Sequence, residues 1–388
     1  MSPSRPVSSD SPTRLDQLDG LRAIAVAGVV VQHALGFLPV WPLNVWFESG
    51  TAGVRLFFVL SGFLITGILL RARQSAAVCH VSRWVVWRAF YIRRALRILP
   101  LAYLVLAVAW LAGFPSIREH PWMYALYVSN VQVARHGFTD PGLDHFWSLA
   151  IEEQFYLFWP VVLLATPRKW IAPAMGTIAA ASVVARAAIL STPGGVPPFV
   201  RAMVMTPSRL DALAIGGLLA WQQMAYPRAT RLTVAALLIG GIAARFGANL
   251  LSESVLVMPL PETGDVLLCA ALVLSVSQGI GGILGRALAM RPVVAIGTIS
   301  YGIYVYHMVL AALIPAFPLP YGYTRLVWMV GATVPVAALS WRWFERPLND
   351  LKERFPYVPA PARGPASSSL EHREGPEASA LASRAAAG

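Results

Sequence analysis

The sequence has few charged residues for its length, and this shortage narrows the class of protein. Charged side chains make up 13% of the 388 residues, whereas hydrophobic side chains make up 56%, and the mean hydropathy is +0.59. A water-soluble fold cannot bury so large an apolar fraction, so the composition excludes an ordinary soluble protein. It predicts an all-α integral membrane protein that crosses the bilayer several times.

Cysteine and lysine are almost absent. Cys79 and Cys269 are the only cysteines, so the chain can build neither a disulfide framework nor a thiolate metal site. The histidines lack the spacing of a zinc site, and the sequence predicts no metal and no permanently bound cofactor. Arginine supplies most of the net charge of +12, but the arginines fall between apolar runs. We therefore expect contact with the lipid bilayer and no nucleic-acid partner.

Ten apolar runs are long enough to cross a bilayer as helices, which takes roughly 17 to 25 residues each. Arginines concentrate in alternate connections, so we expect both termini in the cytoplasm and the protein in the cell membrane. We further expect a cytoplasmic N-terminal segment (1–20), a membrane domain (21–348) and a disordered cytoplasmic tail (349–388). The ten runs are residues 21–39, 54–71, 98–114, 146–166, 170–192, 209–226, 231–247, 264–283, 294–315 and 322–344.

A histidine and an arginine share one face of the first predicted span. His33 lies inside the apolar run, where an ionisable side chain indicates a functional site, although a buried histidine bonded to a neighbouring helix would also explain it. Arg22 stands eleven residues earlier, so the two side chains point to one face about 16 Å apart. Considered alone, Arg22 is also the ordinary basic residue of a cytoplasmic helix end.

Two adjacent glutamates interrupt the fourth predicted span, FWSLAIEEQFYLFWP. Glu152 and Glu153 lie about 9 Å below the outer end of that span, and His33 lies as far below the outer end of its own. We therefore expect one glutamate to face His33, while an ion pair that ties helices together is the structural alternative. The other glutamate needs its own partner, for which the candidates are Arg209, Asp211 and Arg55.

The segment from residue 71 to residue 97 alternates seven arginines with four aromatic residues. This mixture is typical of a helix that lies in the membrane interface. Arg94 and Arg97 are three residues apart and share a helix face, so their guanidinium groups could also hold phosphate oxygens.

Smaller polar residues mark two other predicted spans. Ser300, Tyr304 and His307 form one stripe in the ninth span, which should face other helices or a cavity, and His307 is a second candidate for a catalytic histidine. In the second span, Ser61 and Gly62 favour close packing of helices.

Seven sequence strings, in order from residue 18 to about residue 348, closely resemble the membrane acyltransferase 3 family. They are LDGLRAIAVAGVVVQH, GVRLFFVLSGFLIT, YIRRALRILP, FWSLAIEEQFYLFWP, SRLDALAIGGLLA, ISYGIYVYH and WRWFERPL. The resemblance implies a ten-helix core and the transfer of an acyl group, commonly acetyl, from acyl-CoA to a hydroxyl group. The positions that matter in the family fall on His33, Arg22, Arg94, Arg97, Glu152 and Glu153.

The resemblance implies a mechanism for this chain. Arg22, Arg94 and Arg97 would bind the phosphates of acyl-CoA, a donor substrate, on the cytoplasmic side. His33 would act as general base towards the acceptor hydroxyl, with one of the two glutamates orienting its imidazole ring. Direct transfer and an acyl-histidine intermediate are both compatible with these residues.

The sequence is least informative about the acceptor. The compact length and the arginine-rich composition resemble family members that acylate macrolide antibiotics in actinomycetes, so a macrolide or similar glycosylated small molecule is the first expectation. A cell-surface polysaccharide or lipid-linked glycan is the alternative. Aromatic residues between 115 and 145 could stack on a sugar, although anchoring at the membrane surface would also explain them. A proton-coupled transporter is the alternative of another class.

Overall fold

The computed structural model describes residues 14–36, 49–251, 257–313 and 322–358 of the chain. Within these ranges the chain is helical and contains no β-strand, so the predicted all-α class is confirmed. Helices are expected because, in hydrocarbon, a helix satisfies its backbone hydrogen bonds within one segment. Parts of both predicted termini, and the ends of the first and ninth predicted spans, lie outside the described residues.

The described residues form α-helices joined by short turns. A π-helical turn, Trp341–Glu345, joins the last two helices, and a 3₁₀ turn, Leu351–Arg354, follows them. In chain order the α-helices are α1 (Arg14–Leu35), α2 (Ser49–Val78), α3 (Arg83–Leu111), α4 (Pro115–Glu119), α5 (Pro121–Ala125), α6 (Ser129–His136), α7 (Phe146–Ala165), α8 (Ile171–Ser191), α9 (Pro198–Val204), α10 (Leu210–Ala225), α11 (Thr230–Gly247), α12 (Leu260–Ser277), α13 (Gly282–Leu288), α14 (Arg291–Thr298), α15 (Ser300–Leu313), α16 (Tyr323–Ser340) and α17 (Arg346–Asp350).

Seven helices of the described chain are long and apolar enough to cross a membrane: α1, α2, α3, α7, α8, α11 and α12. Together α14 and α15 make an eighth candidate span, bent by 67°. The chain is therefore a polytopic membrane protein, but this count is lower than the ten spans expected. The other two predicted spans correspond to α10, which has 16 residues, and to α16. Neither helix is both long enough and apolar enough to count as a candidate membrane span.

The arginine-rich segment belongs to two long helices and is not a separate helix at the membrane surface. α2 continues to Val78, and after a short turn α3 runs from Arg83 through Pro100 to Leu111. The 29 residues of α3 span about 43 Å, more than the roughly 30 Å thickness of a hydrocarbon core. The first turns of α3 therefore extend beyond the apolar layer, and there the rings of Trp84 and Trp87 stack with centroids 4.5 Å apart.

α2 lies inside the bundle and packs against α1, α7, α10 and α12. Gly62 lets α2 approach α10 closely, because a Cβ atom at this position would overlap the backbone oxygen of Leu213. Gly216 of α10 faces the backbone of Val59 in the same way. The predicted packing role of Gly62 is therefore confirmed.

The boundary predicted for the disordered C-terminal tail, residue 349, lies too early in the chain. Residues 349–358 contain the end of α17 and the 3₁₀ turn, and they pack against α3. Nη1 of Arg93 donates to the backbone oxygens of Lys352 at 2.6 Å and Phe355 at 3.2 Å. The guanidinium group of Arg93 also lies 4.9 Å from the ring centre of Tyr357. The ordered part of the chain thus reaches at least residue 358, and the rest of the predicted tail lies outside the described residues.

Seven charged side chains form a network that links α2, α8, α10, α11 and α12. At its centre, Arg186 and Asp211 are both 1% exposed and lie 2.5 Å apart. Glu262 bonds to Arg55 at 3.2 Å and contacts Arg209. The three residues expected to pair with a glutamate of α7 thus belong to this network, whose members among the described residues include Arg55, Arg186, Arg209, Arg245, Asp211, Glu262 and Asp265.

Candidate active site

A partly open cavity lies between α1, α2, α3, α7 and α15. Its charged lining residues are Arg22, Arg94, Arg97 and Glu152. The structure thus brings together the three arginines predicted to bind the donor and one of the two predicted glutamates. His33 and Glu153 do not line this cavity. We call it the arginine cavity.

The three arginines converge from two helices. Arg94 and Arg97 lie one turn apart on α3, and Arg22 of α1 is held by Asp19 at 2.6 Å. Arg97 lies within electrostatic range of both Arg22 and Arg94. The guanidinium group of Arg94 lies 5.2 Å from the ring centre of Tyr156. Converging positive charges within a partly enclosed cavity favour the binding of an anion such as a phosphate group.

Glu152 is bound by hydroxyl groups that the sequence analysis did not assign to the site. The hydroxyl of Ser61 donates to Oε1 of Glu152 and lies 2.9 Å from the hydroxyl of Tyr156. Ser61 and Tyr156 both line the arginine cavity. From the sequence, Ser61 was interpreted only as a small packing residue. Its hydroxyl instead helps to hold a carboxylate beside the arginines.

Glu153 points in a different direction from Glu152. Successive residues of a helix point about 100° apart, so the two carboxylates cannot share one environment. Oε1 of Glu153 is shielded from solvent and has no hydrogen-bond partner among the described residues. It lies within electrostatic range of Tyr127 and Tyr103 and also of Arg94, although it does not line the arginine cavity.

His33 contacts a second histidine and not a glutamate. Its Nδ1 atom lies 2.8 Å from Nε2 of His307, and the ring centroids are 5.1 Å apart. Within the described ranges, no hydrogen bond joins His33 to Glu152 or Glu153. The contact expected between His33 and one of these glutamates is therefore replaced by a bond to His307.

The bonds of His307 determine which nitrogen of His33 carries a hydrogen. Nδ1 of His307 lies 2.6 Å from the backbone oxygen of Tyr304, and because a carbonyl only accepts, this Nδ1 must donate. Nε2 of a neutral His307 is then an acceptor, so Nδ1 of His33 donates to it. Nε2 of His33 is left with a free lone pair, which is the form that a general base requires.

The glutamates and His33 also lie at different depths. The ring of His307 is 4.9 Å from that of His145, which immediately precedes α7. Glu152 stands seven residues further along, about 10 Å along the helix axis. The expected common depth is therefore wrong, because α1 ends at Leu35, which leaves His33 only two residues from the end of its helix.

α15 connects the two levels through the predicted polar stripe. Ser300 and Tyr304 line the arginine cavity, and His307, one turn beyond Tyr304, bonds to His33. The hydroxyl of Tyr304 donates to the backbone oxygen of His145 at 2.9 Å and also contacts the hydroxyl of Ser148. The spacing of Ser300, Tyr304 and His307 predicts this stripe. It does not predict that His33 of α1 is the partner of His307. No group of metal ligands of suitable geometry occurs in the described part of the chain.

Comparison with known sequences places this fold and site in a family. The sequence profile of an acyltransferase domain matches residues 15–342. The chain therefore belongs to the acyltransferase 3 family, and it is a multi-pass protein of the cell membrane.

Several bacterial proteins are similar over most or part of the chain. A peptidoglycan O-acetyltransferase of Listeria monocytogenes is 31% identical over 365 residues, which cover 86% of this chain and 55% of the relative. A candidate peptidoglycan O-acetyltransferase of Bacillus subtilis is 32% identical over 366 residues, 86% of this chain and 54% of the relative. A candidate O-acetyltransferase of Staphylococcus aureus is 39% identical over 161 residues, 38% of this chain and 24% of the relative. The chain spans about half the length of the first two relatives, and no solved structure matches it significantly.

Proposed function

We propose that the protein is a membrane O-acyltransferase that moves an acetyl group from acetyl-CoA to a hydroxyl of a glycan at the cell surface. The observation that carries this proposal is the arginine cavity, in which Arg22, Arg94 and Arg97 converge inside a membrane bundle. Its wall continues along α15 to the partner of His33. A phosphate-binding group at one level and a candidate base at another suit a long donor such as acyl-CoA.

The donor binds with its phosphates at the arginines and its thioester directed towards His33. The distance along α1 from Arg22 to His33 is about 16 Å, so the pantetheine arm spans the interval between the two. The arginines contact phosphates that do not react, and they therefore contribute to binding more than to the chemical step. The carboxylate of Glu152 limits the repulsion among the positive charges of the arginines. Its hydrogen bond with Ser61 links α7 to α2 in the wall of the arginine cavity.

His33 acts as general base with its Nε2 atom. It takes the proton of the acceptor hydroxyl while the hydroxyl oxygen attacks the thioester carbon. The bond between the carbonyl carbon and the sulfur then breaks, and the proton passes from His33 to the departing thiolate of CoA. His307 keeps Nδ1 of His33 engaged throughout and thereby holds the ring in the required tautomer.

A glycan is a better supported acceptor than the macrolide that the sequence first suggested. The two relatives that cover 86% of the chain carry names that specify peptidoglycan. Chain length and arginine content alone favour a macrolide, and the names of these relatives do not mention one. We assign a glycan acceptor on the strength of these relatives.

Incubation of membranes that contain the protein with radiolabelled acetyl-CoA tests this function. Soluble peptidoglycan fragments and a macrolide are supplied in separate reactions, with His33→Ala as the inactive control. We expect label in an alkali-labile ester on the glycan. Label on the macrolide alone would overturn the acceptor, and no acyl transfer to either, combined with proton-coupled uptake, would favour a transporter.

A further inference from the structure

Two buried polar atoms beside α7 lack hydrogen-bond partners among the described residues. They are Oε1 of Glu153 and the hydroxyl of Tyr127, and both are shielded from solvent. The two groups interact electrostatically, but no hydrogen bond joins them within the described residues. Leaving polar atoms without partners in a low-dielectric interior is costly, so such atoms normally bond to water or to a ligand.

The backbone at Tyr127 is held in an unusual conformation that aims this side chain. Tyr127 has φ of 53°, in the left-handed region that a bulky residue seldom adopts. Its backbone oxygen accepts a hydrogen bond of 2.8 Å from Gln154, the residue that follows Glu153. Gln154 is held in turn by Asn130 and Thr206. Backbone strain supported by surrounding bonds is typical of residues that contact ligands.

A third tyrosine completes the surroundings of this pair. The ring of Tyr103 meets that of Tyr127 edge-on at 6.1 Å, and its hydroxyl donates to the backbone oxygen of Ala125 at 2.8 Å. Tyr103 is 41% exposed, so the group reaches the surface of the bundle. It lies six residues beyond Arg97 on α3, about 9 Å further from the arginines.

Glu152 and Glu153 therefore have different partners. Glu152 faces the arginine cavity and is bonded to Ser61, whereas Glu153 faces the tyrosines with an unused acceptor atom. A carboxylate that accepts, placed beside a phenol that can donate, matches a neutral sugar hydroxyl, which does both.

We propose that Glu153 and Tyr127 form the subsite that binds a non-reacting hydroxyl of the acceptor sugar, with Tyr103 at its outer rim. This proposal rests on the proposed function and names the place where the acceptor enters. Glu153 is a binding residue in this scheme and does not contact the acetyl group.

The test uses the full chain in lipid nanodiscs with a soluble peptidoglycan disaccharide as the probe. Glu153→Gln and Tyr127→Phe keep the size of each side chain, and Tyr226→Phe, an exposed tyrosine elsewhere, is the matched control. Acetyl transfer gives the KM of the disaccharide and of acetyl-CoA. Thermal stabilisation by the disaccharide gives its Kd without any turnover.

We expect each variant to raise the disaccharide KM and Kd about tenfold or more, because a hydrogen bond to the sugar is lost or weakened. The KM of acetyl-CoA should stay within twofold, and Tyr226→Phe should behave as wild type. An unchanged Kd in both variants would show that the subsite holds only water and would overturn the proposal.

The two readouts separate this proposal from the proposed function. If the wild type binds the disaccharide but transfers no acetyl group, the enzymatic function fails, and loss of binding in the variants still supports the subsite. If the wild type transfers acetyl and the variants match it in both KM values, the subsite fails and the function stands. Should Glu153→Gln not accumulate, Tyr127→Phe decides the question, since it removes only one hydroxyl oxygen.

Discussion

Nδ1 of His33 lies 2.8 Å from Nε2 of His307, although 274 residues separate the two in the chain. Because the opposite nitrogen of His307 donates to the backbone oxygen of Tyr304, the bond has one direction, and His33 is the donor. The pair resembles a general base with its orienting group, in which a neutral ring replaces the more usual carboxylate. No formal charge is then available to balance an imidazolium, so the proton must leave His33 again within the same reaction.

This geometry predicts different effects for the two histidines. His33→Ala should lower kcat by roughly 10² to 10⁴, the contribution of a general base. His307→Leu should lower kcat at least about tenfold while both KM values stay near normal, since it removes only the group that orients the ring. His307→Gln can still accept from His33 and should recover part of the loss. Steady-state kinetics per folded molecule measures this, and His307→Leu with normal kcat would remove the pair from the mechanism.

The arginine cavity predicts a defect that is confined to the donor. Arg94→Ala and Arg97→Ala should each raise the acetyl-CoA KM roughly 10- to 100-fold with little change in kcat, because contacts to non-reacting phosphates are equal in the ground and transition states. Arg88→Ala is the matched control, since Arg88 is exposed on the same helix and does not line the cavity. If all three variants have a similar KM for acetyl-CoA, then Arg94 and Arg97 do not bind the donor and only help to set the orientation of the protein in the membrane.

The number of membrane crossings can be decided by reporter fusions. The arginine asymmetry requires α10 to cross the bilayer even though it has 16 residues. Fusions after Gly195 and Arg228, which lie on either side of α10, should therefore report the outside and the cytoplasm respectively. Fusions after His80 and Phe355 should both report the cytoplasm. The same signal from both sides of α10 would make it a buried helix that returns to its own side.

The buried pair of Arg186 and Asp211 should dominate the stability of its corner of the bundle. Asp211→Ala leaves a fully buried guanidinium without its nearest carboxylate, and breaking such a pair costs about 3 to 5 kcal/mol. Asp350→Ala breaks only an exposed contact of 3.9 Å with Arg346 and should cost under about 1 kcal/mol. Thermal unfolding in detergent compares the stabilities of the two variants. Equal losses of stability would contradict the dominant role of the pair of Arg186 and Asp211.

The connection before α7 should make stability depend on pH. Burial raises the pKa of Asp144 from 3.8 to about 7, even though its carboxylate accepts a hydrogen bond from the backbone nitrogen of Asp140. A raised pKa means that the fold prefers the protonated form, so this stabilisation is complete below about pH 3.8 and is lost as the pH rises through about 7. Asp144→Asn should flatten the fall in Tm between about pH 4 and pH 7. If the dependence of Tm on pH is unchanged in this variant, the raised pKa of Asp144 is contradicted.

The sequence predicted the helices well because hydropathy is a local property. Each of the ten predicted runs has a helix, although α3 begins well before its predicted span and α10 is short. The convergence of Arg22, Arg94 and Arg97 was also predictable, since all three belong to strings that mark the family. The resemblance could not state which glutamate would join them, and the structure places Glu152 there.

The pairing of His33 could not be predicted from depth alone. That estimate placed the outer end of the first span at residue 39, whereas α1 ends at Leu35, so His33 lies near the start of α7 and Glu152 about two turns further along α7. The left-handed backbone of Tyr127 had no sequence signal either, because the residues that favour positive φ are glycine and asparagine. Contacts between distant helices determine both features.

The π-helical turn Trp341–Glu345 has a consequence for how this end of the chain tolerates a change in length. A π turn contains one residue more than an α turn, and here it directs the buried carboxylate of Glu345 towards Ser340, whose hydroxyl donates to it at 2.8 Å. Because the turn absorbs one extra residue, deleting one of its residues would restore regular α geometry and leave the helix downstream close to its present orientation. The same deletion inside the regular helix α16 would instead rotate everything downstream by about 100°. The segment that receives Arg93 would then face away from α3, so a single-residue gap is tolerated in the π turn but not one turn earlier.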